Sequence, residues 1–363
     1  MIKVLELFAG IGACSKTLER LGINHEIVDA VEIDKFAIAS FNAIHGTNFK
    51  PQDITKWDKN VECDLIIHGS PCQDFSIAGK QAGGDEGSGT RSSLMYETLR
   101  IVGKLRPKYV IWENVKNLLS KKHRHNFDAY LEAMEKLDYK NYYQVLNAKD
   151  YGVPQNRERV FTVSIRLDVP YCQAFEFPPR RPLTKRLKDV LEPEVDEKYY
   201  ISSAMMNYFM GLNQKPSKFP RRERFLANIN RKDQDRANSI TTNPGQRPTD
   251  NFVRIKTANT KGYDLASDGD GVDLAYPDST TRRGRVGHGV AKTLPTSDSQ
   301  GVLDGYRIRK LTPKECWRLM GFDDSDFDKA STVCSNAQLY KQAGNSIVVD
   351  VLEAILKNLI ILL

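Results

Sequence analysis

Four apolar runs in the first third of the chain are separated by stretches that read as helix, and that alternation leaves few folds open. The runs are Lys3-Val4-Leu5-Glu6-Leu7-Phe8, Ile27-Val28-Asp29-Ala30-Val31, Cys63-Asp64-Leu65-Ile66-Ile67 and Tyr109-Val110-Ile111-Trp112. Runs this apolar read as buried parallel strands. The stretches from Cys14 to Leu21, Lys35 to His45 and Ser93 to Leu105 read as the crossover helices between them. An α/β, Rossmann-like sheet is expected, and such sheets bind ligands beyond the carboxyl ends of their strands. The residues that follow each run therefore carry the functional argument.

After the first run, Ala9-Gly10-Ile11-Gly12-Ala13 turns into a helix. Glycines there let backbone N–H groups approach a ligand closely, although many α/β folds need them for the turn alone. The second run ends in Glu32-Ile33-Asp34. Glu32 is the better candidate to accept both hydroxyls of a ribose, and Asp34 to cap the next helix. Asp53, in Gln52-Asp53-Ile54-Thr55, could accept from an adenine amino group or simply shape a turn.

The third run leads to His68-Gly69-Ser70-Pro71-Cys72-Gln73-Asp74-Phe75-Ser76. Free cysteine is by default a small buried hydrophobe, and Cys14, Cys63, Cys172, Cys316 and Cys334 keep that reading. Cys72 departs from it, because proline, glycine and polar residues surround it at a strand end. The glycine-rich stretch Ala78 to Gly89 that follows reads as a mobile lid. The fourth run ends in Glu113-Asn114-Val115, which puts a carboxyl on the strand expected beside that of Cys72. Next to an apolar strand containing a tryptophan, desolvation could hold its proton near neutral pH. Further on, Gln155-Asn156-Arg157-Glu158-Arg159 precedes another strand, and alternation would put Gln155, Arg157 and Arg159 on one face. Two guanidiniums there suit a carbonyl oxygen, a carboxylate or a phosphate, or else form a surface salt-bridge ladder. Lys121 to His125 reads as a solvated lead-in to a helix.

From about Leu167 to Gly305 the chain is rich in Pro, Gly, Asn and Thr and carries two cationic groups. One includes Arg221, Arg222 and Arg224; the other is Arg282, Arg283 and Arg285. Acids such as Glu223 and Asp233 dilute the first group, so a solvated face is one reading and a DNA-contacting domain the better one. Asp268-Gly269-Asp270-Gly271-Val272-Asp273 lacks the full calcium-loop pattern and reads as a turn. The last stretch holds a capped helix opening at Thr312-Pro313, then Gly344-Asn345-Ser346, then an apolar helix from Ile347 that needs the first domain to cover. The expected division is a catalytic domain over 1–168, a smaller irregular β-rich domain over 169–305, and a return to the first domain over 306–363.

A chain of 363 residues accommodates two domains, and 40% hydrophobic with 27% charged residues is the composition of a soluble globular protein. An acid at Glu6 interrupts any signal-peptide core and no apolar stretch approaches a membrane span, so a cytoplasmic protein is expected. Six cysteines without paired CxxC spacing argue against a disulfide framework or a zinc site. The net charge of +7 permits a nucleic-acid partner without requiring one.

With these residues in view, the sequence resembles the DNA cytosine-5 methyltransferase family over nearly everything outside about 170 to 300. Phe8-Ala9-Gly10-Ile11-Gly12 resembles the S-adenosylmethionine loop, Pro71-Cys72-Gln73 the nucleophile motif and Glu113-Asn114-Val115 the acid motif. Gln155 to Arg159, Arg309 to Glu315 and Gly344-Asn345-Ser346 resemble the later motifs in the family's order. Ala13 stands where many members have glycine, and Ile347 where valine is frequent. The resemblance implies a Rossmann-like S-adenosylmethionine-dependent methyltransferase sheet with a target-recognition domain. It assigns cofactor contacts to Phe8, Gly10, Ile11, Gly12, Glu32, Ile33, Asp53, Ile54, Pro71, Leu94, Asn345 and Ser346, with S-adenosylhomocysteine as product. Cys72, Glu113, Arg157 and Arg159 would be catalytic, without a metal, and Gln73, Ser76, Lys80, Arg221, Arg222, Arg224, Arg283 and Arg285 would touch DNA.

The chemistry so implied begins with addition of the Cys72 thiolate to C6 of a flipped-out cytosine, with Glu113 at N3 and Arg159 at O2 while Arg157 fixes their neighbours. The partner would be double-stranded DNA and the protein a monomer. Any cognate restriction endonuclease would act separately. Three rivals stand beside this reading: a transfer-RNA cytosine-5 methyltransferase, which generally has a much smaller variable region, a nucleotide-binding Rossmann oxidoreductase, and a non-enzymatic DNA-binding relative.

Overall fold

The computed structural model describes residues 1–71, 85, 87, 90–209, 253–305 and 307–360. The chain forms two compact units. The first comprises Met1–Val153, Arg157–Leu183 and Trp317–Leu363; the second comprises Pro154–Asn156 and Thr184–Cys316.

The first unit is built on strands β1 (Ile2–Leu7), β2 (His25–Val31), β3 (Leu65–His68), β4 (Tyr109–Val115) and β5 (Tyr139–Asn147). After the short β6 (Gln155–Asn156), which lies in the second unit, β7 (Glu158–Arg166) completes the six-stranded sheet. Its order is β2-β1-β3-β4-β7-β5. The first four strands are parallel, and β7 joins β4 and β5 antiparallel. Register aligns Val31, Leu7, His68 and Trp112 in one row across the four parallel strands. The residue after each is Glu32, Phe8, Gly69 and Glu113, so all the strand ends singled out in the sequence fall along one carboxyl edge.

Helices α1 (Ala13–Arg20), α2 (Lys35–His45), α3 (Met95–Leu105) and α4 (Arg124–Lys136) supply the cover. Asp34 caps α2 by accepting from Phe36 N at 2.9 Å, and Gly46 ends it with φ of 67°. Leu5, Leu7, Ile66, Val110 and Trp112 of the sheet are buried in one core with Ile101 and Val102 of α3 and Phe127, Tyr130 and Met134 of α4. At about 25 cal/mol per Å² of apolar surface, burial of such side chains dominates the stability of this unit. His123, expected on a solvated lead-in, is buried at the start of α4. The helix Val349–Ile360 lies along α1, where Arg20 pairs with Asp350 and Glu353, and the chain's end covers its beginning.

The second unit is made of short strands. β8 (Val253–Lys256) and β9 (Tyr263–Ala266) form a hairpin; β10 (Gly271–Asp273), β11 (Val286–Gly287), β13 (Gln300–Asp304) and β14 (Arg307–Lys310) form a four-stranded sheet. β12 (Ala291–Lys292) pairs with β6. Its apolar core is small, centred on Phe209, Val253, Ile255, Ala266, Val272, Val286, Leu303 and Ile308. Buried ionic groups brace it: Arg309 donates twice to Glu315, which also accepts from the backbone N–H groups of Thr312 and Glu192. Asp270 accepts from Ser267 and Gly289; of the Asp268 to Asp273 stretch expected as a turn, only Asp268-Gly269 turns, and Gly271 to Asp273 is strand β10.

The unit boundaries differ from those expected in the sequence. The segment 169–183 packs with the first unit, because Tyr142 and Tyr151 donate to the carbonyls of Cys172 and Pro178 and Phe175 meets the Tyr142 ring. β14 belongs with the second unit because it completes that unit's sheet. Among the described residues, no helix is long and apolar enough to cross a membrane.

Candidate active site

The carboxyl edge of the sheet begins at the turn from β1 to α1. Phe8, Gly10 and Gly12 all adopt positive φ there. A side chain at Gly12 is impossible without rearrangement, since an added Cβ would lie 2.2 Å from His45 Nε2 and 2.9 Å from Phe41. Beneath the turn, the buried Glu6 accepts from both the N–H and the hydroxyl of Ser15. Burial pushes its carboxyl up to about 7, against those hydrogen bonds. Glu32 Oε2 accepts from Gly10 N at 3.0 Å and Oε1 from Asp34 N at 2.8 Å, which ties the end of β2 to the glycine turn. Burial raises the Glu32 carboxyl from its ordinary range. With three backbone N–H groups on it, the carboxyl still keeps acceptor capacity for a ligand hydroxyl.

Ile33 beside it is 64% exposed, a large apolar side chain left uncovered at the strand end. Asp53 caps the short turn Ile54–Lys56 by accepting from Thr55 N and Oγ1, and those bonds lower its carboxyl. The buried Ile54 and the half-buried Leu94 and Phe8 belong to the core below this edge. Ile11 is buried and Pro71 half-buried.

Towards β4, Glu113 is nearly buried and pairs with Arg159 Nε at 3.0 Å. β4 and β7 align Val115 with Arg159, which brings the guanidinium alongside the strand end. The Trp112 indole does not supply the apolar setting expected for Glu113. Successive strand residues point to opposite faces, and the Trp112 indole packs with His68, Phe127 and Tyr130 instead. A Cβ on Gly69 would lie 3.8 Å from Glu113 Oε2 and 3.7 Å from Ile347, so the strand that leads to Cys72 closes on the acid. Arg157 is buried and donates to the carbonyls of Gly344 and Ser346 at 3.1 and 2.9 Å. It thus straps the C-terminal end of the helix Asn336–Asn345, whose C-cap is Ser346, to the sheet, with Asn345 exposed and Ser346 buried. Gln155 does not share a face with the two arginines: the strand breaks between β6 and β7, and the Gln155 side chain accepts from Leu294 N in the second unit. Cys72, Gln73, Ser76 and Lys80 lie outside the described residues, as does most of the expected lid.

The sequence from residue 2 to residue 361 matches the model of the C-5 cytosine-specific DNA methylase family. The chain belongs to that family. An orphan methyltransferase of Bacillus phage SPR, M.SPRI, is 32% identical, with 99% of this chain and 97% of the relative covered. The type II methyltransferase M2.ScrFI of Lactococcus lactis subsp. cremoris is 33% identical, covering 99% of both chains. Among solved structures, a putative DNA modification methyltransferase encoded within an E. coli prophage has the same fold, with a TM-score of 0.61 at 21% identity, covering 100% of this chain and 99% of the other. A mutant DNMT2 of Spodoptera frugiperda has a TM-score of 0.64 at 20% identity, covering 99% of this chain and all of the other. The chain is accordingly a DNA (cytosine-5-)-methyltransferase of a family that uses S-adenosylmethionine and acts on DNA.

In this methyltransferase the second unit carries the other predicted contacts, and two arginines near each other differ sharply. Arg283 is exposed. Arg285 is 2% exposed and gives its guanidinium to the carbonyls of Asp273, Ala275 and Tyr276 at 2.8–2.9 Å. Its expected role in DNA contact is therefore corrected: it holds the loop, and no donor is turned outward to a phosphate. The loop presents Tyr276, 72% exposed at φ of 47°, with the Arg282 guanidinium 5.5 Å from its ring. On β8, Val253 and Ile255 face the core while Lys256 lies 4.9 Å from the Tyr208 ring and Arg254 4.4 Å from Tyr263. Arg221, Arg222 and Arg224 lie outside the described residues. The sequence gives no signal for Ser70, whose importance comes from what the sheet brings beside it.

Proposed function

We propose that this methyltransferase modifies a cytosine flipped out of duplex DNA, with Cys72 as nucleophile and Glu113, Arg159 and Arg157 as its supporting groups. The single observation that carries the reading is the juxtaposition on one sheet edge of Gly69, Glu113 and Arg159 beside the Glu32 and Gly10 turn. The turn fits a nucleoside: Glu32 retains acceptor capacity, Ile33 offers an uncovered apolar surface, and the backbone at Gly10 is open, with Phe8 O, at 4.0 Å, the only atom among the described residues within 4 Å of where a Cβ would sit. Glu32 would take the ribose hydroxyls of S-adenosylmethionine, with Phe8, Gly10, Ile11, Ile33, Asp53, Ile54, Pro71, Leu94, Asn345 and Ser346 around it. When bound, that cofactor supplies an electrophilic methyl group.

C5 of cytosine is too electron-poor to take a methyl group unaided. The Cys72 thiolate adds to C6, and the negative charge that develops on the ring is drawn toward N3 and O2. Glu113 shares a proton at N3 and Arg159 donates to O2. The resulting enamine is nucleophilic at C5 and accepts the methyl group. Loss of the C5 proton then expels Cys72 and restores the ring. Arg157 acts on the Gly344 to Ser346 backbone and keeps that helix end in place.

Unit 2 would read the target, with Arg283 and Lys256 at phosphates and Tyr276 against the nucleic acid. Gln73, Ser76 and Lys80 would contact DNA beside the nucleophile.

Tritiated methyl transfer to duplex DNA and to transfer RNA in parallel tests the substrate. Transfer to DNA alone is expected, and preferential labelling of transfer RNA would overturn the reading. Cys72→Ser should abolish transfer while leaving cofactor affinity nearly unchanged; wild-type turnover by that protein would refute the covalent route.

A further inference from the structure

Between the strand ends that carry the chemistry lies a buried network that the scheme above leaves unused. Ser70 follows β3 and immediately precedes Pro71-Cys72, and it is buried. Its hydroxyl accepts from Trp112 Nε1 at 2.9 Å, and Asn114 Nδ2 reaches its hydroxyl and carbonyl oxygens at 3.4 Å. Trp112 and Asn114 flank Glu113 and, by alternation, face the opposite side of the sheet from it. The strand that aims the acid is thus the strand that grips Ser70.

The indole has little freedom to tilt. The His68 ring stacks on it with centroids 5.7 Å apart and planes at 7°, Tyr130 lies at 4.1 Å and Phe127 at 5.9 Å. His68 Nε2 is in turn 3.2 Å from Tyr130 Oη. A buried indole N–H needs an acceptor, and Ser70 is the one it has. Beyond Ser70 the chain has few soft torsions, because proline fixes its own φ and restricts the residue before it. Fixing Ser70 therefore narrows the direction in which the chain leaves Pro71.

We propose that Ser70, through its bonds to Trp112 and Asn114, is a positioning residue that sets Cys72 in register with Glu113. The proposal rests on the covalent reading above. The test uses duplex DNA carrying 5-fluorocytosine at the target, where fluorine cannot leave as a cation and the adduct persists. Single-turnover adduct formation with S-adenosylmethionine is timed for the full-length protein and for Ser70→Ala, Trp112→Phe, the double variant and Ser70→Thr, alongside cofactor affinity.

A small misplacement of a reacting group costs up to about a hundred-fold in rate, so Ser70→Ala should slow adduct formation roughly ten- to a hundred-fold with cofactor affinity unchanged. The double variant should be no slower than the slower single one, since the two residues act as a unit. Ser70→Thr, which keeps the hydroxyl, should recover part of the rate. Wild-type adduct kinetics in Ser70→Ala, losses that multiply in the double variant, or a parallel fall in cofactor affinity would overturn the proposal. Absence of any adduct in the unsubstituted protein would instead sink the covalent reading, and this inference with it.

Discussion

The two units solve the same problem of cohesion by different means. The first buries a continuous apolar core between a six-stranded sheet and long helices. The second has strands of two to five residues and a small core, and it relies on buried arginines that bind backbone carbonyls and the carboxylates of Glu315 and Asp304. A cation in the first unit's sheet edge, such as Arg159, serves chemistry in our reading. In the second unit the same residue type serves either the scaffold or the partner, according to which way it points.

Removing a scaffold cation's partner should have the largest effect. Glu315 is 0% exposed and Arg309 nearly so, and Glu315→Ala removes the bidentate partner and leaves the buried guanidinium only the longer contact to the partly exposed Asp304 carboxylate, which costs about 3 kcal/mol. Denaturant unfolding should show that loss, and a shape-preserving apolar replacement of both residues should recover most of it. Little change in Glu315→Ala would break the contrast drawn between the units.

Next come Arg285 and Arg283. Arg285→Ala frees three carbonyls that a buried guanidinium holds and should destabilise the protein by roughly 1–3 kcal/mol. Arg283→Ala should leave unfolding within about 0.5 kcal/mol of the parent. In the DNA-binding reading it lowers the slope of log affinity against log salt by about 1. If both behaved alike in both assays, orientation would not be what separates them.

A subtler comparison concerns the first unit, where one carboxyl is buried at a cost. Because the folded Glu6 pKa of about 7 lies above its ordinary value, the native state binds more protons there than the unfolded chain does. That contribution falls as pH rises from about 4.5 to 7. His45 and His68, held by burial at about 4 and about 3, work in the opposite direction over the acid range. The informative quantity is therefore the difference between Glu6→Gln and its parent at each pH. Glutamine can keep both Ser15 bonds, so the variant should gain roughly 1–3 kcal/mol relative to its parent between pH 4.5 and 8. A pH-independent difference would contradict the burial argument.

The same contrast explains what was legible in the sequence. The four parallel strands, their helices and the residues at their ends were readable because apolar runs punctuated by Gly, Asp and Pro leave little freedom in a doubly covered sheet. Glu32, Glu113 and Arg159 fall where those patterns put them. The neighbours of Glu113 were misjudged because a strand's two faces are told apart only once its register is known, and the break between Gln155 and Arg157 was hidden by an apparently continuous alternation. In the second unit, Arg283 and Arg285 read identically as a basic patch. Only the short strands around Asp273 and Tyr276 decide that one is a clamp and the other is exposed. Ser70 was overlooked for the same reason: its partner is distant in sequence and close only across the sheet.

The central claim is that one thiol bonds to the pyrimidine at the edge where these strand ends meet. It is tested most directly by trapping the protein on 5-fluorocytosine DNA with the methyl donor, digesting the complex and mapping the modified peptide by mass spectrometry. The account predicts the nucleotide's mass on Cys72 alone. A linkage to another residue, or none under conditions that support methylation of ordinary cytosine, would contradict it.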